Sequence, residues 1–187
     1  MTSDSRIADT LNGSVDGSAI EISHPLAHDP AALLLTPRPA DDERSTLLGF
    51  LDYLRDAMAA KAERAPEPQV REPGVPSGTN LLGLVKHVTA VERFVFLGED
   101  AKSWPNTFRP TAKDTVDSVL ADYRTTVRQA NERIRACANL SQPAAASPDR
   151  GSSPTMRWAL THMIEETARH AGHADILREQ IDGSTGR

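Results

Sequence analysis

Proline and glycine divide this chain into four long apolar-periodic runs, and that division constrains its fold more than any other feature. Within each run apolar residues recur every three or four positions, the spacing of a helix with one buried face. Between the first two runs, "APEPQVREPGVPSG" carries four prolines, which a helix interior does not tolerate. The first run, "DDERSTLLGFLDYLRDAMAAKAER", offers Asp41 or Asp42 as its cap and a stripe of Leu47, Leu51, Leu54 and Met58. The second, "TNLLGLVKHVTAVERFVFLG", is expected to start behind Ser77 or Thr79 and to stop at Gly98. The third, "AKDTVDSVLADYRTTVRQANERIRACANL", carries Val116, Val119, Leu120, Tyr123, Val127 and Ile134. The fourth pairs Ser153 as N-cap with Pro154 at the first helical position, and runs to about Ile181 before Gly183. The sequence shows no strand pattern, no repeat and no Gly-rich phosphate loop. The expected fold is therefore all-α: a four-helix bundle over residues 39–183, with connections long enough for crossovers.

Residues 1–38 are rich in Ser, Asp, Gly and Pro and read as an extension outside the bundle, with residues 184–187 as a short tail. His24 and His28 fall in that extension, where Pro25 and Pro30 argue against the helix that would pair them. The N-terminus has no apolar signal core, and "AALLL" is too short to cross a bilayer, so a cytoplasmic protein without a membrane partner is expected. A net charge of −5 argues against a nucleic-acid partner, which selects a basic patch or stripe. The single Cys137 excludes an internal disulfide and reads as a small core or surface residue in preference to a catalytic thiol.

The informative stretch is "HMIEETARHAGHADILRE", His162–Glu179. Turned at about 100° per residue, the fourth run gathers Met156, Ala159, Met163, Ala174, Leu177 and Ile181 on one side. Arg157, Glu165, Asp175 and Glu179 take the other. His170 falls within the apolar group and Glu166 just inside its edge, four residues earlier and hence on the same face. In the second run His87 lies beside Leu84 and Val91 on the apolar stripe, whereas Lys86 and Arg93 face away; Glu92, on the margin, suits an inter-helix pair with an arginine.

Buried ionisable groups require compensation. For His87, Glu166 and His170, one solution is a divalent metal, since imidazole nitrogen and carboxylate oxygen both suit such an ion. The other is a His–Glu–His hydrogen-bond network with no ion. His162 and His173 lie toward the flank, as further members of a site or as rim histidines. Gly172, mid-helix, points to a close neighbour or to room for a substrate.

"LLGLVKHVTAVERFVF" and "RWALTHMIEETARHAGHADILRE" resemble the DinB-like superfamily, in particular its actinobacterial mini-circle branch, and "DDERSTLLGFLDYLR" is similar to the first helix of that branch. The resemblance covers about residues 39–183. It implies a bundle with a central divalent metal held by one histidine of the second helix and two of the last. His87 and His170 match two of those positions, and Glu166 replaces the third. A His–Glu–His set also resembles that of mycothiol-dependent maleylpyruvate isomerase, in which it holds zinc. This chain is expected to lack that enzyme's additional C-terminal domain, so its isomerisation does not carry over.

The resemblance thus implies metal ligation by His87, Glu166 and His170, with zinc first and nickel, iron or manganese as alternatives. It implies a transferase joining a low-molecular-weight thiol of the mycothiol type to a small electrophile, in detoxification or stress response, and a homodimer. His173 or His162 would shuttle the proton; either could instead complete the metal shell. Trp104, Phe108, Arg109 and Trp158 are candidates for the mouth. A non-catalytic metal-binding stress protein and a metal-assisted hydrolase are the alternatives.

Overall fold

The computed structural model describes Pro37, residues 42–145 and residues 153–185; most of the expected N-terminal extension, with His24 and His28, lies outside them. Its helices are α1 (Glu43–Glu63), α2 (Leu81–Glu92), the single-turn α3 (Trp104–Thr107), α4 (Val116–Ala136) and α5 (Met156–Asp182). Among the described residues there is no strand, only one isolated bridge between Pro143 and Thr155. The all-α expectation holds. The first helix packs most extensively against the last, and α2 packs against α4 and α5.

Local chemistry sets the ends. The Asp42 carboxylate accepts from Ser45 N at 3.0 Å and caps α1 as expected. The second helix starts later than the sequence suggests, at Asn80, whose Oδ1 accepts from Gly83 N at 2.8 Å. Thr115 and Ser118 form a reciprocal capping box at the start of α4. The last helix also begins later than the Ser153–Pro154 pair predicts. The Pro154 carbonyl accepts from Ala144 N, and Met156 N donates to the Gln142 carbonyl, so the chain stays extended through Pro154. Thr155 is the N-cap, accepting from Trp158 N. After Glu92 the second helix widens into one π-turn, Arg93–Leu97, and ends at Gly98 in the left-handed region, φ 74°.

The expected stripes face inward in the main, although Leu47 and Leu54 on α1 and Ile181 on α5 are only partly buried and Arg55, off the α1 stripe, is buried. Met156, Ala159, Met163, His170, Ala174 and Leu177 of α5 are buried, while Arg157, Glu165 and Glu179 are exposed. The second helix is buried more fully than one stripe requires: from Leu81 to Glu92 only Lys86 and Ala90 are partly exposed. It is a central helix, covered by α1, α4, α5 and the 104–108 segment.

Two apolar clusters build the core. One contains Met58, Leu84, Val88, Tyr123, Ala174 and Leu177, and the other Leu51, Val95, Ala130, Ile134, Met156 and Met163. On α1 and α5 the residues between the clusters include buried polar ones: Arg55 on α1, Thr167 and His170 on α5. Mid-depth in this bundle is therefore where polar side chains meet.

Candidate metal centre

His87 projects from the middle of α2, and Glu166 and His170 project together from α5. His87 and His170 retain 7% and 8% of their exposure, and Glu166 is partly buried. Glu166 Oε1 lies 3.3 Å from His87 Nε2 and 3.1 Å from His170 Nε2. One donor atom from each of the three side chains lies within 4.8 Å of the others.

The donor chemistry fits a divalent transition ion: two imidazole nitrogens and a carboxylate oxygen. Two donors about 2.0–2.1 Å from one tetrahedral ion stand about 3.3 Å apart, close to both Glu166 contacts. Burial, the largest influence on each, lowers the pKa of His87 and of His170; the neighbouring imidazole lowers His87 further, and Glu166 opposes the shift in both. Both rings are therefore held toward the neutral form that ligates metals.

The 104–108 segment clasps His87. The Phe108 ring stacks on the imidazole at a centroid distance of 3.7 Å and an interplanar angle of 15°, and Trp104 approaches it edge-on at 6.3 Å. The Thr107 hydroxyl lies 2.7 Å from His87 Nδ1. Trp104 in turn meets Phe94 edge-on, so three aromatic rings border one side of the cluster.

Gly83 makes this clasp possible. It lies one helical turn before His87, against the Phe108 carbonyl; a Cβ there would stand 2.1 Å from that oxygen. Neither Gly83 nor Thr107 is singled out by the sequence reading. A glycine inside an apolar helix is a usable signal of close backbone approach, but a threonine on a four-residue helix between irregular stretches carries none.

The remaining candidates separate. His173 is exposed, with its ring 5.5 Å from that of His170, so it borders the cluster from the solvent side. His162 stacks on the exposed Trp158 at 4.7 Å, one ring pair on the surface of α5. Arg109 offers its carbonyl to Lys86. A Cβ on Gly172 would meet nothing within 4 Å, so no close neighbour explains that glycine. Cys137 is buried among apolar residues, and its thiol donates to the Asn139 carbonyl.

Fold and site together define a class: all-α bundle proteins with a His–Glu–His candidate metal centre built on inward helix faces. Within it, the chain belongs to the Mycothiol-S-transferase family, whose sequence model matches residues 46–183. This agrees with the DinB-like resemblance of the second and last helices. No curated protein matches the chain. No helix among the described residues is long and apolar enough to cross a membrane.

Proposed function

We propose that the protein is a divalent-metal-dependent S-transferase, joining a low-molecular-weight thiol of the mycothiol type to a small electrophile in detoxification or stress response. The observation that carries this reading is the convergence of His87, Glu166 and His170 within 4.8 Å on a chain of the Mycothiol-S-transferase family. These three residues would hold the ion, with zinc the first expectation from the donor set.

His87, Glu166 and His170 would hold the ion, and with it bound the pKa of a thiol at the site would be lowered toward neutral pH. The thiol proton passes to a base, the sulfur electron pair forms a C–S bond with the acceptor, and the acceptor's leaving group or π-electron pair takes the displaced charge. His173, an exposed ring 5.5 Å from that of His170, would carry that proton to water. Trp104 and Phe108 exclude water on the opposite side of His87 and offer an apolar wall to the electrophile. The cosubstrate supplies the sulfur, so the buried Cys137 has no part in the reaction. Protein of this family acting on a soluble thiol fits a cytoplasmic location; a homodimer remains the expectation for its assembly.

Metal analysis of protein purified without a polyhistidine tag, followed by thiol-transfer assays with and without chelator, tests the proposal. About one divalent ion per chain is expected, with transfer abolished by chelation and lost in a folded H87A/H170A variant. Full metal content in that variant would overturn the site. Chelator-sensitive turnover without any thiol would make the protein a hydrolase, and stoichiometric metal without turnover across thiols and electrophiles would make it a binding protein.

A further inference from the structure

The Thr107 hydroxyl has one proton, and its position is fixed. Thr107 Oγ1 lies 2.6 Å from the Trp104 carbonyl oxygen, which can only accept. The hydroxyl therefore donates to Trp104. At 2.7 Å from His87 Nδ1 it has only lone pairs left to offer, and the ring nitrogen must be the donor.

We infer that Thr107 is a positioning residue that commits His87 to the Nδ1–H tautomer and turns the bare Nε2 lone pair toward Glu166. The inference rests on the metal-site reading for its purpose but not for its geometry. A His–Glu–His network held together only by hydrogen bonds from neutral rings would need Nε2 of His87 to donate to Glu166. With the proton on Nδ1, the 3.3 Å approach of Nε2 to Glu166 Oε1 sets two electron pairs against each other. A metal ion between them, or a proton on one of the two groups, reconciles the arrangement; a hydrogen bond from the neutral Nδ1–H ring does not.

The two histidines differ in this support. Nδ1 of His170 is buried without a hydrogen-bond partner, so only His87 has its tautomer set from behind. Ligating histidines are usually oriented by a partner on the other ring nitrogen, whose loss lowers metal affinity about 10- to 100-fold. Here one hydroxyl on a four-residue helix has that role. Gly83 seats it, by admitting the Phe108 carbonyl against α2, and the stacked Phe108 ring fixes the imidazole plane.

The test uses wild type, Thr107→Val, which keeps the shape and removes the hydroxyl, and Thr107→Ser, which restores it. Histidine-ring ¹⁵N NMR of the metal-free proteins above pH 7 reads the tautomer directly. Nδ1–H is expected at His87 in wild type and Thr107→Ser, and Nε2–H in Thr107→Val, where Glu166 is the acceptor left in contact with the ring. Zinc affinity, measured by competition with a chromophoric chelator, should fall about tenfold or more in Thr107→Val and recover in Thr107→Ser. An Nε2–H tautomer in wild type, or an unchanged tautomer in Thr107→Val, would overturn the inference even if the protein binds metal. A wild type that binds no divalent metal would remove the proposed function, while the tautomer measurement would still decide the role of Thr107. If Thr107→Val fails to fold, the wild-type and Thr107→Ser spectra carry the decision.

Discussion

Arg55 on α1 and Glu92 on α2 grip each other through two hydrogen bonds, Nε to Oε1 at 2.7 Å and Nη2 to Oε2 at 2.6 Å, with neither side chain reaching water. Arg55 Nη1 also donates to Asn131 Oδ1 on α4 and to Asp52 Oδ1, so one guanidinium ties three helices at mid-depth. Removing one partner strands a buried charge, which costs about 3–5 kcal/mol. Glu92→Ala should lose stability on that scale in urea denaturation. An R55M/E92M double variant should recover most of it, because the uncompensated charge is gone. A double variant at least as unstable as Glu92→Ala would show that the stranded charge is not the source of the loss.

Gly83→Ala should weaken the site without touching a ligand. The added methyl meets a backbone carbonyl at 2.1 Å, so the 104–108 segment must shift and carry Phe108 and Thr107 away from His87. Overpacking of this kind costs about 1–3 kcal/mol. Chelator competition should show weaker zinc binding alongside the lower denaturation midpoint. Unchanged affinity in a destabilised variant would separate the clasp from the site.

The metal-free protein should lose stability as pH falls below about 6.5. Burial holds His87 and His170 below their ordinary value in the folded state. Between those lowered values and about 6.5 the unfolded chain binds more protons than the native one, so stability rises with pH across that window. It is complete above the unfolded-state value and declines by up to about 1.4 kcal/mol per pH unit for each histidine as pH drops. Urea denaturation at pH 7.5 and 5.5 measures the difference, and it should shrink in an H87Q/H170Q variant. Equal slopes in wild type and variant would contradict the assignment.

Loading with zinc should raise the melting temperature, and chelation should reverse the rise. An ion that binds only the folded chain stabilises it by about 4 kcal/mol at a thousandfold excess over Kd. Calorimetry with and without a chelator, on wild type and H87A/H170A, would show the effect in the first alone.

His173 and His162 should part company. His173→Gln should keep its metal and lose turnover, because the ring stands outside the cluster beside His170. His162→Gln should keep both, since its partner is the exposed Trp158. Loss of metal in His173→Gln would make that residue a fourth ligand and favour the non-catalytic reading.

Sequence alone determined the four long helices and the inward side of the second and last, because helical periodicity is local: Leu84 and Val88, or Met163, His170 and Leu177, share a face whatever lies opposite. It also placed Glu92 at a margin suited to an arginine, though not which one, since Arg55 stands 37 positions away. What only the tertiary structure decided was contact between distant segments. It joined His87 to Glu166 across 79 positions, and it folded the 104–108 stretch back onto α2 so that Thr107 and Phe108 meet His87. Helix starts moved for the same reason: Pro154 stays extended because Ala144 and Gln142 pair with its neighbourhood. A repeat of 3.6 residues is written in the chain, whereas a hydroxyl's proton is assigned by whichever carbonyl and imidazole the fold brings within 3 Å of it.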